Sequence, residues 1–114
     1  MSGGKAIRGI LDRICDKWAM LIVATLDESR MRFTHLQQHI PGISQRMLTL
    51  TLRNLERDGL VSRTAYAEVP PRVEYALTAR GKSLIPPALA LARWAIEHST
   101  EIQASRTEYD THGG

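Results

Sequence analysis

The clearest chemistry in this chain is carried by Gln45, Arg46, Thr49 and Arg53. A guanidinium can donate two hydrogen bonds to a guanine edge and a carboxamide can pair with adenine, while either group can also hold a phosphate. Leu48, Leu52 and Leu55 recur at i, i+4 and i+7, which gives a helix one apolar stripe and leaves the four polar residues largely off it. Ser44 is placed to cap that helix by accepting a bond from a free backbone N–H of the first turn, and Gly59 supplies the left-handed residue that closes it. An ordinary surface helix with solvated arginines would show the same pattern, so the preceding and following segments have to decide.

Other reactive residue types offer less. His35 and His39 are spaced to share a metal on one helix, but no cysteine or nearby carboxylate supplies a third ligand and His-Glu-x-x-His is absent. They read as polar residues of a surface helix that could touch a DNA backbone. No serine or cysteine has a histidine and acid arranged around it, and no glycine-rich phosphate loop is present. Asp12, Asp16, Asp27 and Glu28 read as solvated charges. The expectation is therefore a protein that is not an enzyme, with no catalytic residue, no metal site and no cofactor.

The elements around the arginines settle the reading. Phe33 to Ile40 forms a short helix expected to be capped by Thr34, with Leu36 and Ile40 buried and Pro41-Gly42 ending it before Ser44. Two short helices joined by a tight turn make a helix-turn-helix, whose second helix can enter the major groove. Residues 60–67 and 72–78 are β-rich runs on either side of Glu68-Val69-Pro70-Pro71, a hairpin with a stiff tip. Arg72 stands beside that tip, within reach of a phosphate or a minor groove. The expected fold is mainly α with a small β-hairpin wing: a winged helix-turn-helix.

In this order the motifs resemble the HxlR family of bacterial winged-helix regulators, relatives of the MarR group. The resemblance rests on Asp16-Lys17-Trp18, Arg32-Phe33 and Ile40-Pro41-Gly42-Ile43-Ser44, then on Met47-Leu48-Thr49 and the run from Leu52 to Val61. It continues through Val69-Pro70-Pro71-Arg72-Val73-Glu74-Tyr75, Leu77-Thr78, Gly81 and Trp94, spanning about residues 10 to 95. It implies a homodimer that binds a partly palindromic double-stranded operator, acting as a repressor near the genes it controls. The expected DNA contacts are Arg32, Thr34, His35, Ser44, Gln45, Arg46, Thr49, Arg53, Arg63 and Arg72.

Several relatives in that family use a cysteine near the N-terminus to sense electrophiles or oxidants, usually followed by proline. That pair would fall about where Lys5 stands and is missing here. Cys15, the one cysteine, lies instead just before Lys17-Trp18 at a helix junction. Near a positive charge it could be a reactive redox sensor, whereas burial against Ile14 and Trp18 would make it an inert small hydrophobe. A small-molecule effector is the competing input, with Trp18, Met20, Trp94 and neighbouring aliphatics as candidate walls of an apolar pocket at the dimer interface.

Composition agrees. The 114 residues suffice for one domain with a modest core, and the net charge is +3. Between residues 30 and 63 six arginines face two acids, a local excess of +4 that leaves the rest of the chain at −1. Positive charge is thus concentrated where phosphates would be met. The longest apolar stretch, Trp18 to Leu26, falls short of the ~20 residues of a spanning helix, and the single cysteine fits a reducing compartment. A cytoplasmic protein without a membrane contact is expected. Residues 1–6 and 103–114 are polar and lack apolar periodicity, so they are read as flexible ends of a domain spanning 7–102.

Ile7, Ile10, Leu11 and Ile14 share one face of a first helix, and a second helix, starting at Ala79 under a Thr78 cap, resumes after Pro86-Pro87 with Leu91 and Trp94. Some of these could complete the monomer core. All of them exceed what a small domain can bury, so they are the expected dimer interface. The alternative function is a winged helix used as a protein-interaction module without sequence-specific DNA binding, for which acidic or apolar residues should replace Arg46, Arg53 and Arg72.

Overall fold

The computed structural model describes residues 2–113. The elements run α1 (Ser2–Ile14), α2 (Lys17–Leu26), β1 (Met31–Arg32), α3 (Phe33–His39), α4 (Gln45–Arg57), β2 (Val61–Tyr66), β3 (Arg72–Leu77), α5 (Ala79–Ser83) and α6 (Ile85–Thr111). The three strands form an antiparallel sheet in the order β1-β3-β2. This is a winged helix-turn-helix, as the sequence predicts, with α3 and α4 as the paired helices and β2-β3 as the wing.

The core is built from one face of each element. Ile22 and Val23 of α2, Leu36 of α3, Leu48, Leu52 and Leu55 of α4, and Val61 of β2 are all 2% exposed or less. The leucine stripe of α4 is therefore buried at its predicted period, and the opposite face is left to solvent. Asp16, read from sequence as a solvated charge, is the N-cap of α2 and accepts from the Ala19 N–H at 3.1 Å. Thr78 caps α5 as expected, accepting from the Gly81 N–H at 3.1 Å.

Two local features differ from the sequence reading. Thr34 does not cap α3: Arg32 is the N-cap residue, without a side-chain cap bond, and Thr34 lies in the first turn. The cause is the short strand β1, which the sequence reading lacked; Met31 and Arg32 pair with Tyr75 and Glu74 of β3, so the chain enters the helix straight from the sheet. At the chain ends, helix covers residues 2–6 and 103–111. Helix needs no apolar stripe to propagate once nucleated, and residues such as Glu101, Gln103, Ala104 and Arg106 favour it.

Candidate nucleic-acid interface

Helix α4 is held at both ends. The Ser44 hydroxyl accepts from the Met47 N–H at 3.0 Å, which fixes the first turn. At the other end Gly59 takes φ +77°, and Leu60 N donates to the Leu55 carbonyl at 2.9 Å. Thr78 donates to the Gly59 carbonyl at 2.6 Å and Arg80 to the Asp58 carbonyl at 3.2 Å. Gly81 lies so close to the Leu60 carbonyl that a Cβ would collide with it, which explains the glycine there. Arg13 of α1 completes the clamp with a 2.8 Å ion pair to the Asp58 carboxylate.

The outward face so fixed is one open groove lined by Ser44, Gln45, Arg46, Thr49, Leu50 and Arg53. A second groove runs from α4 to the sheet between Thr49, Leu52, Arg53, Glu56, Arg63 and Tyr75. Arg63 reaches it because it pairs with Tyr75 across the strands, and directly paired residues share a sheet face. Among the described residues, Arg32, Arg46, Arg53, Arg57 and Arg63 have no carboxylate within 4.0 Å, whereas Arg13, Arg30 and Arg72 do. Thr49 and Ser44 have less to offer than their hydroxyls suggest. Thr49 Oγ1 donates to the Gln45 carbonyl at 2.8 Å, and Ser44 Oγ serves as the cap.

The remaining expected contacts are dispersed. Arg32 pairs with Glu74 and so lies on the sheet face opposite Arg63. Thr34 and His35 are exposed in the first turn of α3, and the His39 ring is bonded to the His35 carbonyl at 2.7 Å within that helix. Arg72 is folded onto the wing rather than projecting from its tip: it pairs with Glu68 at 3.2 Å and Glu74 at 3.7 Å, and its guanidinium lies 4.1 Å over the Tyr66 ring. Arg30 joins this cluster through the Tyr66 hydroxyl at 2.9 Å and Glu74 at 3.6 Å. Leu50 is the groove residue that sequence reasoning missed. Its position one turn after Arg46 was the available signal.

Cys15 is exposed in the turn between α1 and α2, so burial against Ile14 and Trp18 is not its environment. Ile7, Ile10, Leu11, Leu91 and Trp94 are each about half exposed or more, while Ile14 packs against the core. Within one chain Trp18, Met20 and Trp94 stand in separate surroundings. Met20 lines a shallow apolar groove with Leu21, Leu89 and Ala92, Trp18 packs on the core beneath Lys17, and Trp94 stacks on His98.

Known proteins match this architecture. The HxlR-like helix-turn-helix family matches residues 13–103. An uncharacterized HTH-type transcriptional regulator of Methanothermobacter thermautotrophicus is 51% identical over 84 residues, covering 74% of this chain and 64% of its own length. The chain thus spans somewhat under two thirds of that relative. The HTH-type regulator YtfH of Escherichia coli is 40% identical over 101 residues, with 89% and 80% covered. The solved structure of the redox regulator HypR in its reduced form superposes with a TM-score of 0.78 at 37% identity, covering 87% of this chain and 98% of that one. These relatives are transcriptional regulators and not enzymes, in keeping with the reading of the sequence. Winged-helix architecture, motif order and these matches agree: the chain belongs to the HxlR-like helix-turn-helix family.

Proposed function

We propose that this protein is a homodimeric, sequence-specific DNA-binding repressor that covers a partly palindromic operator in the cytoplasm. The observation that carries the reading is the set of uncompensated arginines on one face. Arg46 and Arg53 of α4 line one groove and Arg63 extends it across the sheet, none of them neutralised by a carboxylate. Glu56 lines the second groove without pairing with either arginine, and a protein-interaction module would not need to keep these guanidiniums free. Binding to duplex DNA measured from low to moderate salt tests this: affinity should fall steeply, by a log–log slope of about 0.9 per phosphate contact, and a flat response would remove the proposal.

The surface area supports the dimer. A compact protein of 12.8 kDa exposes about 6,300 Å² by size scaling, yet this chain exposes 8451 Å². Helix α6 has no buried residue, and Leu89, Leu91, Trp94 and Ile96 lie along it half exposed or more. Covering an excess of roughly 2,000 Å² on each of two chains would give an interface within the range of obligate dimers.

Cys15 is the proposed entry point for a redox signal. The similar protein HypR is a redox regulator, and the Cys15 thiol is open to solvent two residues after Arg13, which grips the end of α4. A single thiol per chain can form a mixed disulfide or be alkylated, but cannot close a disulfide within its own chain. Treatment with diamide and a small thiol should change operator affinity in the wild type and leave Cys15→Ser unaffected; equal responses would exclude Cys15.

A further inference from the structure

The outward face of α4 is not wholly polar. Leu50 is 51% exposed, although the core-facing leucines of the same helix are 2% exposed or less. At 3.6 residues per turn it stands about 40° around the helix from Arg46, and it shares the groove with Gln45, Arg46, Thr49 and Arg53. On its other side, toward α1 and α2, it borders a cleft where Met47 and Ala19 stand beside Asp12, Arg13 and Asp16. Leu50 nevertheless leaves about half of its surface in solvent, where a polar residue would be better solvated. Thr49 is consistent with this: with its hydroxyl hydrogen donated to the Gln45 carbonyl, it offers a ligand its methyl group and an accepting oxygen but no donor.

The major groove presents one apolar feature on its base edges, the C5-methyl group of thymine. We infer that Leu50 reads a thymine methyl in each operator half-site, a specificity determinant that rests on the proposed DNA-reading function. Leu50 follows Arg46 by one turn, a rise of about 6 Å, and base pairs stack every 3.4 Å. The thymine therefore lies within about two base pairs of the base contacted by Arg46.

The test starts from duplexes enriched by the wild-type protein from a random pool. The best is resynthesised with deoxyuridine replacing each thymidine in turn, which removes only the methyl group. At one position per half-site the wild type should lose about 4-fold in affinity, and on the order of 10-fold when both half-sites are changed. Leu50→Ala should bind the thymidine and deoxyuridine duplexes equally, with circular dichroism confirming an intact fold. Indifference of the wild type to every deoxyuridine overturns the assignment of Leu50 while leaving DNA reading intact. A deoxyuridine penalty that persists in Leu50→Ala overturns it too, since another residue would then be reading the methyl. Failure to enrich any sequence overturns both readings together.

Discussion

Arg13 Nη1 meets the Asp58 carboxylate at 2.8 Å, joining the last turn of α1 to the residue that ends α4. A carboxylate at a helix C-terminus faces the negative end of the helix dipole, so Asp58 is unfavourable there unless a cation stands beside it. Arg13 is that cation. The pair is partly exposed, with side-chain exposures of 39% and 22%, so its stability contribution is at most about 1 kcal/mol. Its larger effect is positional. Arg13→Ala should weaken operator binding severalfold with little change in thermal midpoint, whereas Asp58→Asn, which leaves no unpaired acid, should be milder. Adding Asp58→Asn to Arg13→Ala should recover part of the loss. Binding measured on the four proteins decides it, and losses that simply add in the double variant would show that the ion pair does not position α4.

Arg46 and Arg63 should separate base reading from phosphate positioning. Arg46 stands in the first turns of α4 within the outward groove, while Arg63 comes from β2 at the margin between helix and sheet. Arg46→Ala is expected to cost about 1 to 3 kcal/mol on the operator and to relax base preference, and Arg63→Ala to weaken cognate and random DNA alike while lowering the salt slope by about 0.9. A competition assay in which Arg46→Ala keeps full discrimination would show that α4 is docked in another register.

For Arg72 the structure changes the expected outcome. Glu68, Glu74 and the Tyr66 ring already engage its guanidinium, so the side chain organises the wing before any DNA arrives. Arg72→Ala should loosen the β2-β3 tip and leave Glu74 with Arg30 alone, at 3.6 Å. Faster amide exchange across Tyr66–Arg72 is the expected signature. Glu68→Gln should release Arg72 partly and raise affinity for random DNA. If Glu68→Gln leaves that affinity unchanged, Arg72 is a brace of the wing and makes no DNA contact.

How much of this could be read from the chain depends on the range of the interaction. The Leu48-Leu52-Leu55 stripe, the Ser44 cap and the Gly59 stop are local, and the sequence shows each at its correct place. Strand β1 is two residues long and exists only through its pairing with Tyr75 and Glu74, so nothing near Met31 announces it. Thr34 was misread as a cap for the same reason. The commitment of Arg72 was partly visible, since Glu68, Arg72 and Glu74 alternate in charge around the turn, but stacking on Tyr66 requires the register of the hairpin. Leu50 escaped notice because the outer face of α4 was read through its polar residues. Its place one turn after Arg46, off the period of the stripe, already sets it on the outer face, where it is 51% exposed.

The last prediction concerns assembly, proposed to run through α1 and α6. Leu91 is 60% exposed and Trp94 53%, so neither is a core residue of this chain and a charge at either position should leave the monomer folded. Leu91→Glu and Trp94→Glu are therefore direct tests of the interface. Two half-sites bound by one rigid dimer share a single association event, so a monomer must hold each half-site independently and far more weakly. Both variants should sediment as monomers with wild-type circular dichroism and lose operator affinity by at least 10-fold, although neither residue lies on the α4 face or the wing. The half-site spacing should matter to the wild type and cease to matter to the variants. A wild-type protein that sediments as a monomer at micromolar concentration and still binds a full operator tightly would refute the dimer.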